Sequence, residues 1–181
     1  MKTAGPDPAR PFLALAEHSL RRHHLPRVEA CFKRLSEEQI WWRPNDASNS
    51  AGNLALHLAG NVRQWLVAGL GGAPDERQRD REFSERGPLP PAQVVRALRQ
   101  AVLDACRVLR RLTPRDLART YSIQGMRVSG LNAALHVVEH FAFHTGQIVA
   151  LTKQQEGRDL GFTRLPGGKR RKQAARALPV L

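Results

Sequence analysis

Cysteine and tyrosine are scarce, with two of the first and one of the second in 181 residues, and acidic side chains number only 16 against 29 Lys+Arg. Each shortage excludes something. Cys31 and Cys106 are too few for a four-thiol zinc site or a disulfide framework. No run of about 18 apolar residues is present to span a bilayer, and the stretch from Met1 to Arg10, with Pro6 and Pro8, lacks the apolar core of a signal peptide. A cytoplasmic chain with both thiols reduced and no membrane partner is therefore expected.

What is in excess is positive charge. The net +13 would suit a polyanion partner such as nucleic acid. Six of those charges (Arg164, Lys169, Arg170, Arg171, Lys172, Arg176) lie after residue 163 beside no acidic residue, and the others are scattered. The expected layout is a flexible N-terminus over 1–10, one domain over 11–163 and a mobile basic tail over 164–181. The domain itself has ordinary globular composition, 41% hydrophobic and 25% charged.

Four segments carry helical periodicity. The first opens at Pro11 and runs through Leu35, with Pro26 predicting a kink or break. Asn49 or Ser50 caps the second, which ends near Leu70 before Gly71, Gly72 and Pro74. A long charged connection over 75–86 leads to Pro91, which opens the third helix, and Thr113-Pro114 ends it. An extended link from Leu117 to Val128, with a turn at Gln124-Gly125, reaches Ser129, which caps a fourth helix ending near Gly157. No strand signal is strong enough to build a sheet. The pattern predicts an all-α four-helix bundle with long connections.

Histidines interrupt the apolar faces. At 100° per residue, His140 and His144 fall in one arc with Val137, Phe141, Ile148 and Leu151, and being one turn apart they point the same way. On the second helix His57 flanks an inner arc of Leu54, Leu58, Val62 and Trp65 that includes Asn61. Buried imidazoles require hydrogen-bond partners or a metal, and three around a divalent ion leave a fourth position for water or substrate. The bland alternative is three separate core histidines, each bonded to a carbonyl or carboxylate. A rival metal motif overlaps: His136-Val137-Val138-Glu139-His140 matches H-x-x-E-H of the inverted metallopeptidases, although Glu139 projects beyond the apolar arc.

Asn53-Leu54-Ala55-Leu56-His57-Leu58-Ala59-Gly60-Asn61, taken with Glu139-His140-Phe141-Ala142-Phe143-His144-Thr145-Gly146-Gln147-Ile148, resembles the DinB/YfiT-like superfamily of metal-dependent four-helix bundles. The Trp41-Trp42-Arg43-Pro44-Asn45 stretch is similar to one bacterial branch of unknown function. The resemblance implies a divalent metal, zinc or nickel, held by His57, His140 and His144, a homodimer, and a small-molecule substrate. Hydrolase or thiol-dependent S-transferase chemistry is implied, the latter with a low-molecular-weight thiol. Asn61, His136 and Gln147 are candidates to orient ligands or substrate. The alternatives are a basic nucleic-acid-binding protein and a metal-binding bundle without turnover. On the outer face of the fourth helix Ala142, Gly146 and Ala150 recur every fourth residue, which would let a second copy approach.

Overall fold

The computed structural model describes residues 8–87 and 89–162; the basic tail expected at 164–181 lies outside the described residues. The first arm of the bundle is helical from end to end: α1 (Ala9–His18), a π-helical segment (Ser19–His24) and α2 (Leu25–Phe32). It begins before the expected Pro11 and takes in Ala9 and Arg10, assigned from sequence to the flexible terminus. Pro11 falls in the first turn, where a missing N–H costs nothing, and Ala9 is buried against the core. Pro26 does not break the arm. It has no N–H for the Arg22 carbonyl, and the wider π register just before it absorbs the mismatch.

A short helix, α3 (Glu37–Trp41), precedes the second arm, which comprises α4 (Ala51–Val62) and a π-helical continuation, Arg63–Leu70. Ser50 caps α4 as expected: its hydroxyl accepts from Asn53 N at 3.0 Å and the Asn53 side chain returns to Ser50 N at 3.2 Å. The connection over 73–90 contains one more short helix, α5 (Arg79–Ser84), packed on α4. Trp41 closes this end of the bundle, lying against Gly52 and donating from Nε1 to Leu89 O at 3.3 Å. Arg43 is occupied locally by Asp46.

The third arm, α6 (Pro91–Arg111), opens at Pro91 as expected and buries Val94, Leu98, Ala101, Val102, Ala105 and Leu109 along one stripe. After α7 (Pro114–Ala118), the link expected to be extended is a hairpin of β1 (Thr120–Ile123) and β2 (Met126–Ser129). Gln124 and Gly125 at its tip both have positive φ, 53° and 73°, which is the two-residue turn whose twist suits a hairpin. The hairpin is a minor addition, secured by Ile123, 4% exposed, against Gly69. The fourth arm, α8 (Gly130–Glu156), is capped by Ser129 and stops at left-handed Gly157. The architecture is thus a four-helix bundle in which α4 packs against both α6 and α8. Among the described residues no helix is long and apolar enough to cross a membrane. Cys31 and Cys106 are buried free thiols whose pKa values are raised by burial, Cys106 to about 11.

Candidate metal centre

Register places the histidines. On α4, Leu54, Leu58, Val62 and Asn61 fill the interior, so His57, one turn before Asn61, faces the bundle and is 6% exposed. On α8 the buried Val137, Phe141 and Ile148 set the inward face, and His140 and His144 lie along its edge, half-buried. Across this seam His57 Nε2 is 2.9 Å from His140 Nε2, and His144 Nε2 is 3.2 Å from the same atom. One nitrogen from each of the three lies within 4.8 Å of the others. Nitrogens held at about 2.0–2.1 Å around a tetrahedral zinc would be roughly 3.3 Å apart, so small ring movements suffice.

The far sides of two rings fix their protons. His57 Nδ1 is 2.9 Å from Glu82 Oε2, and an ionised carboxylate can only accept, so Nδ1 carries a proton and Nε2 is the nitrogen whose lone pair the Nδ1–H tautomer presents to the cluster. Arg77 Nη2 lies 3.1 Å from the same Nδ1 and donates to Glu82 Oε2 at 2.8 Å. His144 Nδ1 is 2.6 Å from Gln147 Oε1, an acceptor, which leaves its Nε2 as a lone pair too. Two lone pairs thus face His140 Nε2, which has at most one proton to give. A divalent cation among the three nitrogens satisfies all of them, so the donor set fits a metal.

Electrostatics favour neutral rings. Burial, reinforced by the neighbouring histidines, pushes His140 down to about 3, and burial also lowers His144 and His136. Burial opposes the charged form of Glu82, but hydrogen bonds from Arg77 and His57 outweigh it and hold the carboxyl below its usual range. His140 Nδ1 is buried without a hydrogen-bond partner among the described residues.

Of the other candidates, Gln147 meets His144, whereas Asn61 Nδ2 donates to His136 Nε2 at 3.2 Å beside the Trp65 ring, 4.1 Å away by centroid. Glu139 is exposed, and His136 is held by Asn61, so the H-x-x-E-H pattern does not assemble. Two phenyl rings border the cluster: Phe83, 4.7 Å from His57, and Phe143, 5.2 Å from His144 and 65% exposed. An open cleft of about 510 Å³ is lined by His136, Glu139, His140, Ala142 and Phe143.

Arg77, Glu82 and Phe83 were not singled out from sequence. They come from the charged connection over 75–86, where Phe83 alone breaks the polar run and no periodicity distinguishes Glu82 from its neighbours.

Comparison with known proteins bears on the family and the fold. The family described as "Protein of unknown function (DUF1572)" matches residues 7–169. No curated protein matches the sequence. Among solved structures, a conserved protein from Enterococcus faecalis is similar at a TM-score of 0.67 and 16% identity, covering 80% of this chain and 97% of that one. A DinB-like protein from Bacillus cereus (TM-score 0.58, 16% identity, 75% and 87% covered) is also similar. So is the DinB-like YjoA of Bacillus subtilis (0.59, 16%, 80% and 93%). At these identities the likeness establishes a DinB-like fold.

Proposed function

Because the chain belongs to the DUF1572 family of proteins of unknown function, we propose its activity from the site itself: a divalent-metal enzyme acting on a small molecule. The reaction is of the hydrolase or thiol-dependent S-transferase type. The observation that carries this reading is the convergence of three imidazoles, two of them with Nδ1 turned outward to acceptors on Glu82 and Gln147 so that Nε2 faces the cluster. His57, His140 and His144 hold the ion, and an all-imidazole set suits zinc or nickel. When bound, such an ion supplies Lewis acidity toward water or a thiol.

The remaining residues bind and orient. Phe83 and Phe143 give the rim an apolar surface, and the Arg79 guanidinium, 5.0 Å over the Phe83 ring, puts a positive charge beside it. A small molecule with an apolar body and an anionic end fits that rim, a low-molecular-weight thiol among them. His136, with Asn61 as its fixed partner, is the nearest further imidazole for holding a proton near the cleft. The protein acts in the cytoplasm as a homodimer, paired through the open outer face of α8, where a Cβ added at Gly146 meets nothing. Light scattering at micromolar concentration reads the dimer directly; a sharp monomer mass removes it.

Metal analysis of the wild type beside His57→Ala, His140→Ala and His144→Ala tests the centre. One divalent ion per chain in the wild type, lost in each variant with helical circular dichroism intact, is expected. A wild type that carries no metal and takes up none on titration overturns the reading. Loaded protein inactive against a panel of esters and thiol acceptors would leave metal binding standing and remove the enzyme assignment.

A further inference from the structure

The connection over 73–87 contributes no metal-ligating atom to the cluster, yet it places a buried ion pair directly behind one of the three histidines. Arg77 grips Glu82 with two of its three guanidinium nitrogens, Nε to Oε1 at 2.7 Å and Nη2 to Oε2 at 2.8 Å, and its side chain is 3% exposed. Its remaining nitrogen reaches Gln64 Oε1 at 2.8 Å, on the π-helical continuation of α4. Asn53 Nδ2 ties the same strap to α4 through the carbonyls of Glu82 and Glu85, both at 2.9 Å. The carboxylate cannot rotate freely, and its second oxygen is committed to His57 Nδ1.

The backbone of α4 makes room for this. A Cβ at Gly60 would lie 1.9 Å from Glu82 Oε1 and 2.9 Å from Arg77 Nε. Glycine is a poor residue for a helix interior compared with alanine, and here its missing Cβ is what lets the ion pair approach the helix.

Resting on the metal reading above, we propose that Glu82, clamped by Arg77 and admitted by Gly60, is a positioning residue that holds His57 in the tautomer and orientation that make Nε2 a metal donor. Without it, His57 is released to the Nε2–H tautomer that free imidazole prefers in water, and its lone pair turns away from His140 and His144. Outer hydrogen-bond partners of this kind commonly contribute 10–100-fold to metal affinity. The strap is therefore part of the metal centre although it ligates nothing.

Three variants test this: Glu82→Gln, Glu82→Ala and Gly60→Ala, the last of which removes no polar group. Long-range 1H–15N NMR of the imidazoles in metal-free protein reads the tautomer, and competition with a chromophoric chelator reads zinc affinity. The wild type should show His57 as Nδ1–H. Glu82→Ala and Gly60→Ala should shift it toward Nε2–H and weaken zinc 10–100-fold, while Glu82→Gln, which keeps an acceptor, loses less. Should Glu82→Ala fail to fold, Gly60→Ala carries the test. An Nε2–H tautomer in the wild type, or zinc affinities of Glu82→Ala and Gly60→Ala within twofold of it, overturns the proposal. If zinc fails to bind the wild type, the metal reading fails, and the tautomer measurement still decides the role of Glu82.

Discussion

Replacing Arg77 with methionine should destabilise the metal-free protein by about 3 kcal/mol, because it strands a buried carboxylate. Glu82 is 8% exposed and draws two charged hydrogen bonds from Arg77. Removing one member of a buried pair generally costs about 3–5 kcal/mol, most of it from the partner left without compensation. His57 continues to donate to Oε2, and the strap can peel outward to hydrate the carboxylate, which puts the expected cost at the low end of that range. The decisive comparison is with Arg77→Met/Glu82→Gln, where no net charge remains buried. The double variant should recover at least about 1 kcal/mol relative to Arg77→Met alone, giving a coupling energy well above the scatter of additive sites. Urea unfolding of all four proteins, stripped with chelator and followed by circular dichroism, measures the cycle. Additivity within about 0.5 kcal/mol, or an Arg77→Met cost below that figure, would refute the reasoning. In that case the ion pair is a solvated surface feature and the strap is not anchored through it.

Other perturbations reach other parts of the molecule. Phe141→Ala empties a fully buried position on α8 and should cost about 3–5 kcal/mol, read as a lower urea midpoint with unchanged slope. Ser50→Ala removes the buried cap of α4 and should cost about 1–2 kcal/mol in the same assay. His24, pushed down to about 4 by burial with the charges of His23 and Arg27 adding, gives a pH signature. Between pH 6.5 and 4 the unfolded chain binds its proton and the folded chain does not, so the stability it contributes is complete above 6.5 and falls as pH drops. Relative to His24→Gln, the wild type should lose stability progressively as pH falls across that window, and a flat difference would remove His24 from the account.

The four arms were legible because each buries a stripe whose period the sequence carries, and Ser50, Ser129, Pro91 and Gly157 mark its ends by local chemistry. The same periodicity brought His57, His140 and His144 to one seam. Legibility failed where structure depends on distant partners. The π register around Pro26 follows from continuing a helix past a residue that cannot donate, and the hairpin of four-residue strands is set by its turn and by docking of Ile123. Most of all, Glu82 sits in a run of charges in which burial is decided by Arg77 within the run and by Gln64 and Asn53 on the second arm. A carboxylate chosen by tertiary contact leaves no periodic trace.

The bundle is not uniformly satisfied, and the deficit is local. His140 Nδ1, Asn61 Oδ1, Trp65 Nε1 and Thr145 Oγ1 are buried without hydrogen-bond partners among the described residues, and all four belong to the two arms that carry the histidines. The remaining such atom, Glu29 Oε1, lies 2.8 Å from the Arg99 guanidinium and is paired by charge. Each unmatched group costs on the order of 1–3 kcal/mol, whereas α6 presents an apolar stripe to the same core. An apolar replacement of similar volume at Thr145 would lift that cost without disturbing the helix. A fold selected for stability alone would carry such replacements; sequences depart from local consistency chiefly where a site requires it. The second and fourth arms are thus marked twice, by ring nitrogens that converge at one seam and by polar atoms that go unmatched, His140 Nδ1 within the cluster, Asn61 and Trp65 beside His136, and Thr145 toward His24.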